Sequence, residues 1–225
     1  MKKLFLSLFT ALTLILAPIA GADIPTPVKA EARGSVLQLV EQDPSDGKWL
    51  GMCSAVKLSP HFLLTAAHCM SKVTGSDPND EFWAPVWFKE PWEGIIAQGE
   101  VAKVDVAKDL ALIRVHTVCP CASLAGIQPS RDDEVMAIGY PMPDDTNNVQ
   151  FLTEGTFQGN YDNEFSFVTS QVIFGNSGGG IFNKYGHLIG ITSALVGVPD
   201  IAWHPIYHMT LISRWSSIRE FLDGF

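Results

Sequence analysis

The chain is poor in positive charge. Its 225 residues hold 15 Lys and Arg against 24 Asp and Glu, a formal net charge of −9. Gripping a nucleic-acid backbone requires a basic face, so charge-driven nucleic-acid binding is excluded. Charged residues make up only 17% of the chain and hydrophobic ones 47%, which excludes a disordered protein and allows a sizeable core in one or two domains. There is no internal repeat and no low-complexity tract. Cysteine is limited to four residues, Cys53, Cys69, Cys119 and Cys121. With His116 nearby, the last two still offer too few ligands for a closed zinc site, and no metal or cofactor is expected.

Long apolar runs are also scarce. The one that stands out spans Leu4 to Ile19, behind Lys2 and Lys3 and ahead of the small residues Ala20-Gly21-Ala22. Basic start, short apolar stretch and small-x-small end describe a secretory signal over residues 1–22. A retained membrane anchor is the alternative, and the shortness of the run and Pro18 argue against it. No cysteine follows the run, which argues against a lipid anchor. Removing this segment takes away two lysines and no acid, shifting the net charge from −9 to −11. The product is expected outside the cytosol, secreted or periplasmic, without a stable membrane anchor, where disulfides persist.

Residues 23–34 contain two prolines and no apolar periodicity, and read as a linker or short pro-segment. From Ser35 onward, short apolar runs recur between turn residues: 35–42, 52–58, 61–66, 99–106, 110–115, 135–141, 149–157, 165–173, 180–183, 187–194 and 205–211. That spacing predicts an all-β barrel or sandwich. The stretch 71–91 is polar and turn-rich but carries Phe82, Trp83, Trp87 and Phe88, with Trp92 beyond, which are read as core aromatics. Trp215, Ile218, Phe221 and Leu222 fall at helical spacing and predict a terminal helix over 213–222.

Three stretches carry chemistry. Gly175-Asn176-Ser177-Gly178-Gly179-Gly180 sets one serine among glycines, whose backbone freedom allows a tight turn with an exposed hydroxyl. Leu63 to Cys69 reads LLTAAHC, and Asp109 to Val115 reads DLALIRV. These three motifs, in this order and 41 and 68 residues apart from His68 to Asp109 to Ser177, resemble those of the trypsin-like, chymotrypsin-fold serine peptidases. The resemblance covers about residues 34–225. It implies two six-stranded antiparallel β-barrels, about 35–125 and 126–212, closed by the C-terminal helix. It also implies a serine endopeptidase acting on proteins or peptides without a cofactor, and the alternative is a peptidase-like binding protein that does no chemistry.

Carried onto this chain, the resemblance makes Ser177 the nucleophile, His68 its base, Asp109 the acid orienting that base, and the N–H groups of Gly175 and Ser177 the oxyanion hole. It implies a Cys53–Cys69 disulfide, worth about 3 kcal/mol on the chain-entropy view. Cys119 and Cys121 are left either bonded to each other or reduced. It places Gln171 at the base of the primary specificity pocket, and Ile191, Thr192 and Ser193 where a substrate strand pairs. With no charge at Gln171, an uncharged substrate side chain is expected. Asn176 departs from the aspartate found there in digestive relatives, so activation through an N-terminal salt bridge is not expected. The GNSGG form looks closer to the bacterial Deg/HtrA and glutamyl-endopeptidase branches. A PDZ module of the kind some bacterial relatives carry is not expected.

Overall fold

The computed structural model describes residues 23–74, 85–90, 94, 96–141, 149–198 and 204–225. The signal-like segment 1–22, and Phe82, Trp83 and Trp92 of the aromatic run, lie outside the described residues. Twelve strands form two closed antiparallel barrels. The first contains β1 (Val36–Gln42), β2 (Trp49–Ser59), β3 (Phe62–Thr65), β4 (Val86–Lys89), β5 (Ile96–Asp105) and β6 (Leu110–Arg114), in the spatial order β1-β2-β3-β6-β5-β4. The second contains β7 (Glu134–Gly139), β8 (Phe151–Asn160), β9 (Phe165–Val168), β10 (Gly180–Asn183), β11 (Leu188–Val198) and β12 (His204–Arg214), in the order β10-β11-β12-β9-β8-β7. Closure removes the exposed edges that would otherwise invite pairing with other chains. The helix α3 (Trp215–Phe221) ends the fold, burying Ile218 and Phe221. This is the all-β, two-barrel architecture that the motifs implied.

Apolar side chains from both barrels meet in the middle. Leu37, Leu39, Leu63, Leu64, Leu112 and Phe88 fill the first barrel and merge with Met136, Ile138 and Phe182 of the second into one cluster. A separate cluster around Val135, Phe157, Val168 and Ile181 fills the second barrel. The shared cluster holds the facing walls of the two barrels in register, and the candidate site lies between them.

Three features differ from the sequence expectation. Residues 26–34, read as part of a linker, form a helix, α1 (Thr26–Gly34). Pro27 in its first turn costs the helix nothing, because N–H groups there have no helical acceptor anyway. Its single-faced burial is short: Ile24 just ahead of it and Ala32 within it enter the core, too few points to show as periodicity. Its end is packed so closely that a Cβ on Gly34 would come within 2.4 Å of Pro120. The strand β4 lies inside the stretch read as polar and turn-rich; it spans four residues, with Val86 and Phe88 buried. Phe88 is core as expected, whereas Trp87 is half-buried and packs against Trp49, ring centroids 5.3 Å apart. A short helix, α2 (Ala67–Thr74), follows β3 directly.

Lys57 is the largest buried polar side chain. Its Nζ sits 3.0 Å from Glu90 and donates to the Val118 carbonyl at 3.2 Å, joining β2 to the end of β4 and to the crossover between barrels. Both cysteine pairs are bonded, Cys53 to Cys69 and Cys119 to Cys121, which settles the alternative left open for the second pair.

Candidate active site

Strand pairing places the first two residues. Thr65 at the end of β3 lies opposite Ala111 in β6, so the residues just beyond Thr65 and just before Leu110 meet at one rim of the first barrel. His68 enters from α2 and Asp109 from the turn before β6. Asp109 accepts the His68 backbone N–H at 3.0 Å, and its two carboxylate oxygens lie 3.0 and 2.9 Å from His68 Nδ1. A neutral ring that donates from Nδ1 leaves Nε2 as a proton acceptor. The Asp109 side chain is 13% exposed and that of His68 is 34% exposed, so the carboxylate is sheltered while the ring meets solvent.

The Asp109 backbone has a φ of 50°, in the left-handed region that non-glycine residues seldom occupy. Two bonds hold it there. Asp109 N–H donates to the Val106 carbonyl at 3.2 Å, and the Ser213 hydroxyl, from β12 in the other barrel, donates to the Lys108 carbonyl at 2.8 Å. A second serine of that barrel, Ser193, donates its hydroxyl to Asp109 Oδ2 at 2.5 Å.

Ser177 sits in a turn of the second barrel. Asn176 N–H donates to Ile173 O at 3.1 Å, and Gly175, third residue of that four-residue turn, has a φ of 91°. A β-turn with positive φ at its third position is type II, which glycine favours. Among the described residues, neither the Gly175 N–H nor the Ser177 N–H has an acceptor within the chain. Gly178 is required for another reason: a Cβ there would come within 2.0 Å of Thr65 Oγ1 and 2.1 Å of the Ser54 carbonyl. The serine turn is thus pressed against the β2 and β3 strands of the first barrel. Ser54 N–H donates to the Ser177 carbonyl at 2.8 Å, and Gly178 N–H donates to Thr192 O at 2.8 Å.

A cavity of about 500 Å³ opens on these groups, with His68, Asp109 and Ser177 in its wall. No Ser177–His68 hydrogen bond is formed among the described residues; such bonds commonly tighten only when a substrate is bound. The arrangement offers a hydroxyl, an imidazole held by a carboxylate, and two unpaired N–H groups beside one opening.

A family model for the trypsin-like peptidase domain matches residues 53–191 of this sequence. The chain belongs to the trypsin-like peptidases. None of the curated proteins matches it. Among solved structures, the peptidase fold superposes on the serine endoprotease from Yersinia pestis with a TM-score of 0.67 at 20% identity, covering 89% of this chain and 67% of that one. Two structures of the HtrA-type protease AlgW follow: one with a tripeptide (TM-score 0.66, 20% identity) and one with a decapeptide (0.63, 18%). The chain is covered to 88% in both and spans 62% and 64% of those chains, so it is shorter than the HtrA-type proteins it resembles. At such identities the likeness concerns the fold.

The remaining wall of the peptidase's cavity is apolar, formed by Val106, Val172, Ile173, Phe174, Ala194 and Leu195. Two residues expected there are elsewhere. Gln171 is exposed and outside the lining, with its carbonyl accepting the Thr153 hydroxyl at 2.6 Å; the chain turns inward one residue later, at buried Val172. Ile191 is fully buried in the core, paired in the ladder with Gly180 and Ser213. Thr192 and Ser193 do line the cavity. The β11–β12 register shifts between Thr192 and Ala194, which puts Ser193 at a bulge, where the ladder is locally broken. The Ser193–Asp109 bond has no local sequence signature, because the two residues lie 84 apart and on different barrels. The same is true of Ser213.

Cys53, His68 and Cys69 lie close enough to suggest a metal site, but the two sulfurs are bonded to each other and offer no thiolate. The Cys69 sulfur lies 3.6 Å from the Ser177 carbonyl; having no proton to donate, it packs there rather than hydrogen-bonding. His187 and His208 are exposed and line no part of the cavity.

Proposed function

We propose that this peptidase is an exported serine endopeptidase working through an acyl-enzyme. The observation that carries the reading is the contact of His68 Nδ1 with both Asp109 oxygens, on the rim of a cavity that Ser177 also lines. In this mechanism His68 Nε2 takes the proton of the Ser177 hydroxyl as its oxygen attacks the scissile carbonyl. Asp109 holds the ring in the tautomer that leaves Nε2 free and stabilises the imidazolium that follows. The carbonyl oxygen, now negative, is received by the N–H groups of Gly175 and Ser177, which have no other acceptor among the described residues. His68 then protonates the leaving amine, and water attacks the acyl-enzyme in the same manner.

The substrate is a protein or peptide bound in extended form, with backbone pairing at Ser193. The apolar wall of Val172, Ile173, Phe174, Ala194 and Leu195 favours an uncharged side chain before the scissile bond. Gln171 takes no part in that preference. The AlgW structures with a tripeptide and a decapeptide make peptide the natural ligand class to try. Export rests on the signal-like residues 1–22 together with two disulfides, which persist in oxidising compartments.

The test is turnover of a peptide-ester panel varied at the residue before the cleaved bond, with a stopped-flow search for an acyl-enzyme burst. Cleavage after aliphatic residues, lost in Ser177→Ala and His68→Ala, is expected. Cleavage solely after Lys, Arg or Glu would refute the specificity, and undiminished turnover by Ser177→Ala would refute the mechanism.

A further inference from the structure

Ser54 makes an unusual number of bonds for one small residue. It is fully buried in β2, at the wall between the barrels. Its N–H donates to the Ser177 carbonyl at 2.8 Å, and its carbonyl accepts the Thr65 hydroxyl at 2.7 Å. Its own hydroxyl does two things at once: it accepts the Tyr140 backbone N–H at 2.8 Å and donates to the Gly175 carbonyl at 3.0 Å. The Ser54 N–H holds Ser177 itself, and of the bonds its hydroxyl makes only the last reaches Gly175.

That bond bears directly on the turn's position. The Gly175–Asn176 peptide is held at both ends, its C=O by the Ser54 hydroxyl and its N–H by Ile173 O. With that peptide fixed, the φ of 91° at Gly175 sets the direction of the Gly175 N–H. Reversing the sign of φ at Gly175 would flip the Phe174–Gly175 peptide and leave the Gly175 carbonyl in place, so the Ser54 bond fixes where the turn stands against β2 rather than the sign of φ. Tyr140 N–H occupies an acceptor site on the Ser54 oxygen and thereby aims its single proton at Gly175.

We propose that Ser54 is a positioning residue for the reaction: its hydroxyl anchors the Gly175 carbonyl to β2 and so holds the Gly175 turn, with the N–H it presents, at a fixed place beside Ser177. It touches neither substrate nor reacting atoms and acts through Gly175. The inference rests on the acyl-enzyme reading above. It adds that the oxyanion-binding geometry depends on a side chain of the other barrel.

The test compares pairs of variants that differ in the hydroxyl: wild type against Ser54→Ala, and Ser54→Thr against Ser54→Val. Each is assayed for kcat and KM on one peptide substrate and for inhibition by a peptide boronate, which adds to the serine and mimics the tetrahedral state. One oxyanion donor is worth about 10²–10³ in kcat. Partial loss of its aim therefore predicts at least a tenfold fall in kcat for Ser54→Ala, with KM within about twofold and weaker boronate inhibition. The same contrast is expected between Thr and Val, which decides the matter if the alanine variant does not fold. A purely structural role would lower thermal stability and leave kcat of the folded fraction unchanged; equal kcat within a pair, or a change confined to KM, overturns the proposal. Wild-type protein inert toward substrate and boronate alike would instead overturn the underlying peptidase reading.

Discussion

Ser193, from one barrel, donates its hydroxyl to Asp109 Oδ2, from the other, at 2.5 Å, while His68 Nδ1 faces the same carboxylate. The acid beside the imidazole is therefore oriented from both sides of the cleft. Its position depends on the packing of the two barrels as well as on the local turn before β6.

Removing that hydroxyl leaves a sheltered carboxylate with one bond fewer. Hydrogen bonds to charged groups are worth roughly 1.5–3 kcal/mol. Ser193→Ala is therefore expected to lower kcat/KM about 10- to 100-fold in steady-state assays on a peptide substrate. Asp109→Asn, which disturbs the tautomer itself, is expected to cost about 10⁴ in kcat. A Ser193→Ala variant as fast as wild type would show that the bond orients nothing that matters to turnover.

The helix α1 is predicted to support stability. Ile24 is buried ahead of it, Lys29 pairs with Asp23 and Glu154, and Arg33 Nη1 donates to both the carbonyl and Oε1 of Gln150. Gln150 in turn donates to Arg33 O and Val36 O. Ile24→Ala should destabilise by at least about 2 kcal/mol. For a chain this size that is a fall in Tm of roughly 4–8 °C or more, read by calorimetry. Deleting residues 23–34 should lower stability further. If deletion instead raised activity at unchanged Tm, the segment would be a pro-segment after all.

Lys57 and Glu90 form an ion pair with side chains 2% and 15% exposed. Removing one partner of such a pair leaves a poorly solvated charge, typically at a cost of about 3–5 kcal/mol. Lys57→Met is expected to show that loss in denaturant unfolding. The double variant Lys57→Met/Glu90→Gln, which removes both charges, should recover part of it. Independent, additive losses from the two changes would mean that the pair does not act as a unit.

Acid should weaken the fold in part through Asp105. Burial pushes its carboxyl pKa up, but the Lys108 backbone N–H at 3.0 Å and ammonium at 3.1 Å outweigh burial and hold it below the ordinary value of 3.8. A depressed folded-state pKa contributes stability that is present above the unfolded value and is lost as pH falls through the folded one. Asp105→Asn should therefore flatten the acid limb of stability below about pH 4. An unchanged acid limb contradicts this contribution.

Much of this was legible in the chain because the informative residues are local. TAAHC, DLAL and GNSGG each confine a candidate catalytic side chain to a few neighbours, and the alternation of apolar and turn residues marks most strands. Other features depend on contacts distant in sequence. The strand β4 is short and helix α1 buries few residues, so neither leaves a clear period. The resemblance places Gln171 at the base of the pocket, whereas the chain turns inward at Val172. The hydroxyls of Ser54, Ser193 and Ser213 acquire their roles only when the barrels pack together. Serines of this kind occur throughout any chain, and no motif distinguishes these three.

The most direct measurement is active-site labelling of the mature, oxidised protein with a fluorophosphonate, followed by peptide mass mapping. The account predicts a single adduct on Ser177, abolished in Ser177→Ala and reduced by orders of magnitude in His68→Ala, since loss of either the nucleophile or the base in a comparable triad lowers kcat about a millionfold. No adduct on folded wild-type protein, or an adduct that survives in Ser177→Ala, would contradict it and favour a peptide-binding protein built on a peptidase fold.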